Sequence, residues 1–390
     1  MKRIKVGIIG SGMMGPIHAE ALRRLGYVDV VALGEANEGL ARAKADELHI
    51  PKAYGDFRAL VADPEIEVVH NCTPNAMHFE VSKAIIAAGK HVISEKPLAR
   101  TSKESGELVE LAAKAGVVNA IHFNYRNYPL VQHMHQLVKK GEFGRLFLLH
   151  GSYLQDWLIK DTDYNWRVEV ESGGESRAVG DIGSHWFDTV QFITGEKVVE
   201  VMADLNIVHK TRKKPKQSVQ TYSGKLLTAE DYSDVPVATE DSATILFRTQ
   251  SGASGSCVIS QVSAGRKNRL YLEADYQNGA LEWNQEEPNL LWIGRRDRAN
   301  DSMIKDASLM EPESRAFSHY PGGHPEGYSE GPYNLFANVY GFISAGAKGS
   351  PTFSTFADGH DELLICDAIV QSSRTRSWTK VAYQPGAIES

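Results

Sequence analysis

Residues 4–15, IKVGIIGSGMMG, constrain this chain more than any other stretch. An apolar run, Ile4–Ile9, reads as a short buried strand, and a helical pattern, Ile17–Leu25, follows almost at once. Between them stands Gly10-Ser11-Gly12-Met13-Met14-Gly15, a G-x-G-x-x-G placed where a strand turns into a helix. The first glycine there permits a tight turn, the second lets backbone approach a pyrophosphate, and the third lets helix and strand pack closely. The N–H groups and dipole of the helix start then hold phosphate. Gly10, Gly12, Met13, Met14 and Gly15 are therefore expected to line a dinucleotide.

The next hundred residues repeat the alternation. Val28–Leu33, Ala53–Asp56, Val68–Cys72, His91–Ser94 and Val117–Phe123 read as strands. Helical patterns at Glu38–Leu48, Phe57–Val61, Met77–Ala88 and Thr101–Ala115 separate them. Such alternation predicts an α/β N-terminal Rossmann fold, a doubly wound parallel sheet. Ligands bind at the carboxyl ends of its strands. Gly10–Gly15, Glu35, Thr73, Pro74, Asn75, Lys96 and Asn124 all fall at such ends. His78 and Glu95 adjoin them and join the cofactor-binding set. Glu35 lies where an acidic residue meets the adenosine ribose hydroxyls, and its carboxylate repels a 2′-phosphate. NAD is thus expected over NADP, with Arg42 and Lys44 further along the next helix as weak counter-evidence.

At 390 residues the chain can bury two cores. Its formal charge of −7 comes without a basic stripe, so nucleic acid is not an expected partner. Cys72, Cys257 and Cys366 are scattered and odd in number. That pattern argues against a disulfide framework or a zinc site and for a reducing compartment. No apolar run has bilayer-spanning length. The first strand starts directly after Met1-Lys2-Arg3, so a cytoplasmic location without signal peptide is expected.

Two further stretches narrow the reading: Val92-Ile93-Ser94-Glu95-Lys96-Pro97-Leu98, and Gly180-Asp181-Ile182-Gly183-Ser184-His185-Trp186-Phe187-Asp188. With the glycine loop, they resemble the Gfo/Idh/MocA family (glucose–fructose oxidoreductase, inositol 2-dehydrogenase and relatives), over nearly the whole chain. The resemblance implies an NAD-binding Rossmann domain, residues 1–124, and a substrate-binding and oligomerisation domain, residues 125–390. The second is expected to be α+β with a large, mostly antiparallel open sheet, assembling as a homodimer or homotetramer. By position, Lys96, Asp181 and His185 match the family's catalytic residues. Asn124 and Arg126 match its segment beside the nicotinamide.

The chemistry agrees. Oxidising a secondary alcohol needs a base for the hydroxyl proton and a donor or cation for the oxygen as it becomes a carbonyl. Asp181 and His185, four apart, share one face of a helix. His185 reads as the acid/base, Lys96 as the oxygen-polarising donor and Asp181 as anchor, although Lys96 and His185 can exchange roles. Pro97 fixes the backbone after the lysine, and an X-Pro bond is one that can be cis.

Tyr153, Asp156, Trp157, Trp166 and Arg167 lie on or after an expected strand, Arg145–Tyr153. Aromatic planes beside polar groups suit a sugar or cyclitol ring. Trp166 serves equally as a core anchor, and Arg167 either as a surface charge or as a hydroxyl or anion contact. Strands follow at Val198–Ile207, Asp241–Arg248, Ser254–Val262, Arg269–Glu273, Ala280–Trp283 and Leu290–Ile293, with Lys210–Val235 a long excursion lacking periodicity. Arg295–Pro332 reads as irregular, and its His324, between glycines and Pro325, is either a substrate contact or a structural histidine. Tyr333–Ala347 and Thr355–Arg374 read as closing helices.

Three functions follow from these expectations. The first is an NAD-dependent dehydrogenase of a sugar, sugar derivative or cyclitol hydroxyl. The second is a redox-neutral NAD-using glycosidase, in which oxidation at C3 acidifies C2 and the aglycone is eliminated, with Asp156, His324 or Tyr153 as water-activating base. The third is a non-catalytic NAD- or sugar-sensing protein, which needs the glycine loop but not the Lys96–His185 pair.

Overall fold

The computed structural model describes residues 3–216 and 231–383. The chain divides into two compact units, residues 1–133 with 306–363, and residues 134–305 with 364–390.

The first unit is built on a six-stranded sheet whose ladders are all parallel. Its strands are β1 (Ile4–Ile9), β2 (Val28–Gly34), β3 (Lys52–Tyr54), β4 (Val68–Asn71), β5 (His91–Ser94) and β6 (Asn119–Ile121). Helices α1 (Met14–Arg24), α2 (Glu38–Glu47), α3 (Phe57–Ala62), α4 (Asn75–Ala87) and α5 (Ser102–Ala115) connect them. Asn37, Asp56 and Thr101 each accept a backbone N–H from the first turn of α2, α3 and α5, which sets where those helices begin. The order β3-β2-β1-β4-β5-β6 reverses between β1 and β4. At such a reversal two neighbouring loops leave the sheet in opposite directions and open a crevice for a ligand. Val6, Ile8, Val68 and Val69 are wholly buried, as central parallel strands require.

Helix α6 (Pro129–Lys139) contains the boundary between the units. The second unit carries β7 (Leu146–Leu154), α7 (Val170–Gly173), α8 (Ser184–Thr194), β8 (Val198–Asn206), β9 (Thr211–Pro215) and β10 (Tyr232–Pro236). Then come β11 (Ser242–Thr249), β12 (Ser254–Ser260), β13 (Arg269–Tyr276), β14 (Gly279–Asn284), β15 (Leu290–Gly294) and β16 (Asp301–Ile304). Helices α9 (Glu330–Ser344) and α10 (Phe356–Thr375) precede a final strand, β17 (Thr379–Lys380). Nine strands form one sheet in the order β16-β15-β14-β13-β7-β12-β11-β8-β17. Its ladders are antiparallel except for β7 with β12. Alternate residues Ile245, Phe247, Cys257, Ile259, Leu270 and Leu272 point into its core. There Trp186 and Phe187 of α8 meet Phe247 edge to face.

Four expectations change. Residues 306–363, grouped by sequence with the second domain, pack in the first unit, because Leu335, Phe336, Val339 and Tyr340 of α9 join the cluster of Val6, Ile8 and Leu22. Residues 295–332 are not wholly irregular: β16 pairs with β15, and Pro312–Phe317 form a 3₁₀ turn. Helix α9 already begins at Glu330, since Pro332 sits in a first turn where a missing N–H costs nothing. The 210–235 excursion has ordered ends, β9 pairing antiparallel with β10, while its residues 217–230 lie outside the described ones. The three cysteines are buried, and among the described residues none forms a disulfide. Among the described residues no helix is long and apolar enough to cross a membrane.

Candidate functional site

In the glycine loop the three glycines do three different things. Gly10 has φ +93°, and a Cβ there would collide with the Cys72 carbonyl. A Cβ on Gly15 would strike the Gly10 carbonyl oxygen, so this residue sets how closely α1 meets β1. A Cβ on Gly12 would meet nothing within 4 Å, which leaves the space a pyrophosphate needs. Helix α1 starts with no side-chain cap, so its first N–H groups suit a phosphate. Met13 beside them is 60 % exposed, and Met14 is half-buried.

Glu35 follows β2 and turns its carboxylate onto this loop. Its Oε1 accepts from the Ser11 amide at 2.5 Å and from Ser11 Oγ at 2.6 Å. The two nearby cations are engaged elsewhere, Arg42 with Asp46 at 2.8 Å and Lys44 with Glu47 at 2.7 Å. An NAD ribose therefore fits this corner better than a 2′-phosphate.

Past β4, Thr73 Oγ1 donates to Asn71 Oδ1 at 2.6 Å, Pro74 takes the cap position of α4, and Asn75 is its first residue. His78 is buried one turn on. Its ring nitrogens lie 2.8 Å from the Thr73 carbonyl and 2.6 Å from that of Pro97, so it braces two walls of the crevice. Burial holds its pKa below the ordinary value. Lys96 is half-buried past the end of β5, and its bond to Pro97 is cis.

Glu95, by contrast, faces the core. Its Oε1 accepts from His18 Nε2 at 2.9 Å and from His122 Nδ1 at 2.7 Å. These are direct hydrogen bonds, closer than the roughly 3.3 Å that two ligands of a tetrahedral zinc keep. Asn124 is buried at the start of a 3₁₀ turn, Asn124–Asn127. The Arg126 guanidinium donates to Asp358 at 2.8 Å.

In the second unit, Asp181 lies in a π turn, Val179–Gly183, that runs directly into α8. The Ser184 amide donates to the Val179 carbonyl, five residues back. This single wide turn differs from the continuous α-helix expected, yet keeps Asp181 one turn ahead of His185. Both Asp181 oxygens have partners: Arg167 Nε is 3.4 Å from Oδ1, and Gln261 Nε2 donates to Oδ2 at 2.9 Å. The Arg167 guanidinium also lies 4.4 Å over the half-buried Trp166 ring. His185 is 7 % exposed, with the Tyr153 ring 6.5 Å away. Tyr153 OH donates to Asn268 Oδ1 at 2.7 Å, as does Gln155 Nε2 at 2.8 Å. Trp157 Nε1 in turn donates to Gln155 Oε1 at 2.8 Å.

Asp156 and His324 complete the set. Asp156 is held by Lys267 at 2.7 Å and by the Gly265 amide, and Lys267 draws its carboxyl below the usual range. His324 is exposed and belongs to the first compact unit. Sequence reasoning missed Ser11, Arg177, Glu240 and Gln261. A polar residue next to a loop or strand end carries no local signal of what lies across from it.

Residues 4–123 match the family model described as "Oxidoreductase family, NAD-binding Rossmann fold", and residues 131–282 match "GFO/IDH/MocA C-terminal domain". Levoglucosan dehydrogenase of Pseudarthrobacter phenanthrenivorans is 32% identical over 403 aligned positions, spanning 98% of this chain and 99% of that protein. Myo-inositol 2-dehydrogenase of Thermotoga maritima is 29% identical, over 65% of this chain and 67% of its own length. A levoglucosan dehydrogenase solved with NADH and levoglucosan superposes with a TM-score of 0.86 at 29% identity, covering 98% of this chain and 100% of that one.

Proposed function

The chain belongs to the Gfo/Idh/MocA oxidoreductase family, and on that premise we propose that it is an NAD-dependent dehydrogenase of a secondary hydroxyl on a sugar, sugar derivative or cyclitol. Gly10–Gly15 and Glu35 would hold the cofactor, with Thr73–Asn75, Asn124 and Arg126 as further walls. Bound NAD supplies the acceptor for the hydride that leaves the substrate carbon. His185 takes the hydroxyl proton as general base, and Lys96 donates a hydrogen bond to the oxygen as it becomes a carbonyl. Asp181 accepts from a substrate hydroxyl and keeps it oriented.

The observation that supports this reading best is the π turn, which sets Asp181 one turn before His185 with each of its oxygens held by a donor. Arg126 and Arg167 each face a carboxylate, which favours an uncharged substrate. The glycosidase reading has less support, since the Lys267-paired Asp156 is a weakened base.

We assign the cofactor to residues 1–124, and substrate and assembly to 125–305 with 364–390. The outer sheet face, exposing Leu148, Leu246 and Val258, favours a homodimer or homotetramer. Three buried cysteines outside any disulfide favour the cytoplasm.

A panel of free sugars, anhydrosugars, inositols and aryl glycosides, read for NADH and for aglycone, tests the function. NADH formation on a free polyol is expected. Aglycone release without NADH would replace the dehydrogenase by the glycosidase, and no turnover on any member would remove both.

A further inference from the structure

Behind Asp181 stands a chain of buried polar groups that none of the chemistry above uses. Gln261, immediately past β12, is fully buried, and Arg177, four residues before Asp181, is 2 % exposed. Arg177 Nη1 lies 3.3 Å from Gln261 Oε1, and Gln261 Nε2 lies 2.9 Å from Asp181 Oδ2. A guanidinium carries only donors and a carboxylate only acceptors. The amide oxygen must therefore face Arg177, and its NH₂ must face Asp181. The reversed amide would set donor against donor at one end and acceptor against acceptor at the other.

Arg177 is itself fixed. It donates to Asp241 Oδ1, and its Nε donates to Thr239 Oγ1 at 3.2 Å. Asp241 also accepts from Arg212 at 2.6 Å and from the Val208 amide at 2.7 Å. Next to it, Glu240 Oε1 accepts the amides of Arg177 and Val179, both at 2.9 Å, and so pins the entry to the π turn. Residues 239–241 thus hold both the backbone that carries Asp181 and the guanidinium that polarises Gln261. Among the charged and titratable groups near Asp181 in this unit are Arg167 on Oδ1, His185 one turn on, and Arg177 with its partner Asp241 behind the amide.

We propose that Gln261, oriented by Arg177, is a positioning residue that fixes the Asp181 carboxylate as an ionised acceptor in one rotamer. This deepens the dehydrogenase reading and rests on it only for the effect on turnover. A donor hydrogen-bonded to the charged form lowers a carboxyl pKa, and removing it raises that pKa.

The test uses the full-length protein with ¹³Cγ-labelled aspartate, the Asp181 signal being assigned from Asp181→Asn. In Gln261→Leu the Asp181 titration midpoint is expected to rise by about one pH unit. In Gln261→Glu, which keeps an acceptor for Arg177 but sets an anion beside Asp181, it should rise further. The Glu variant also serves if Gln261→Leu fails to fold. Turnover supplies the second arm: Gln261→Leu should lower kcat/KM about tenfold, mainly through KM, and add nothing on top of Asp181→Asn. Unchanged midpoints, or an equal loss of kcat/KM in both backgrounds, would overturn the proposal. Native activity in Asp181→Asn with shifted midpoints would instead remove Asp181 from the reaction and leave the positioning intact.

Discussion

Glu35 closes onto Ser11, its Oε1 2.6 Å from the hydroxyl and 2.5 Å from the amide, so the carboxylate at the end of β2 is part of the glycine loop. An anion held there welcomes ribose hydroxyls as donors and opposes a 2′-phosphate. NAD is expected to bind more tightly than NADP. Glu35→Ala should weaken NAD by on the order of tenfold or more, since it removes a charged hydrogen-bond acceptor, and should narrow the NAD/NADP ratio. Fluorescence titration with NADH and NADPH measures both. A native ratio in the variant would place the ribose elsewhere.

Gly12 and Gly15 separate binding from folding. The space beyond Gly12 is open, so Gly12→Ala should melt like the parent and yet lose NADH affinity by tenfold or more, its methyl standing where the pyrophosphate goes. Gly15→Ala drives a methyl into the Gly10 carbonyl and should cost about 1–3 kcal/mol even without cofactor. Urea melts of the two apo variants check this. Equal destabilisation in both would mean that the loop tightens around Gly12 as well.

Lys96→Ala and His185→Ala are each expected to lower kcat by about 10²–10⁴, the range for losing an acid/base or a polarising donor. Melting temperature and NADH affinity should change little in His185→Ala. On the proposed roles, combining the two substitutions should cost less than the product of the single losses, because groups that serve one chemical step are not additive. Fully multiplicative losses would argue that they serve separate steps.

How far these residues can be read from sequence depends on how local their signals are. The glycine loop, the alternation of strands and helices, and the placement of Glu35, Thr73 and Lys96 at strand ends rest on short-range periodicity and turn chemistry. They stand in the structure as expected. The π turn does not show in sequence, because Asp181 and His185 are four apart whether the backbone bonds reach four or five residues. Gln261 meets Asp181 across 80 residues of chain, and Tyr340 meets His70 across 270, distances over which no periodicity carries. The packing of α9 in the first unit is hidden for the same reason, since an apolar helical stripe does not say which core it covers.

The last prediction concerns acid. Beneath the glycine loop, Tyr340, His70, His18, Glu95 and His122 form one buried chain. Glu95 is the acceptor that sets its direction. His18 must donate from Nε2 to Glu95, so its Nδ1 accepts from His70 Nδ1 at 2.8 Å, and His70 Nε2 accepts from Tyr340 OH at 2.8 Å. Both imidazoles are then neutral. Burial pushes His18 down from 6.5 to about 4 and holds His70 well below its ordinary value. Burial alone would raise the Glu95 carboxyl, but His122 and His18 keep it well below the usual range. The signs agree. Between pH 6.5 and 4 the unfolded chain binds protons that the folded His18 refuses, so stability falls with pH across that window, by up to about 3 kcal/mol from His18. Glu95 adds a further loss below its unfolded value, when its anion is finally protonated. Urea midpoints are therefore expected to start falling near pH 6.5, earlier than carboxylates alone would allow. His18→Gln can still donate an N–H toward Glu95 but cannot titrate. It should be flatter over that window and less different from the parent at pH 5 than at pH 7. A parent whose midpoint stays level down to pH 5 would show that the unfolded chain gains no protons over the folded one there, and the neutral-imidazole assignment would fall.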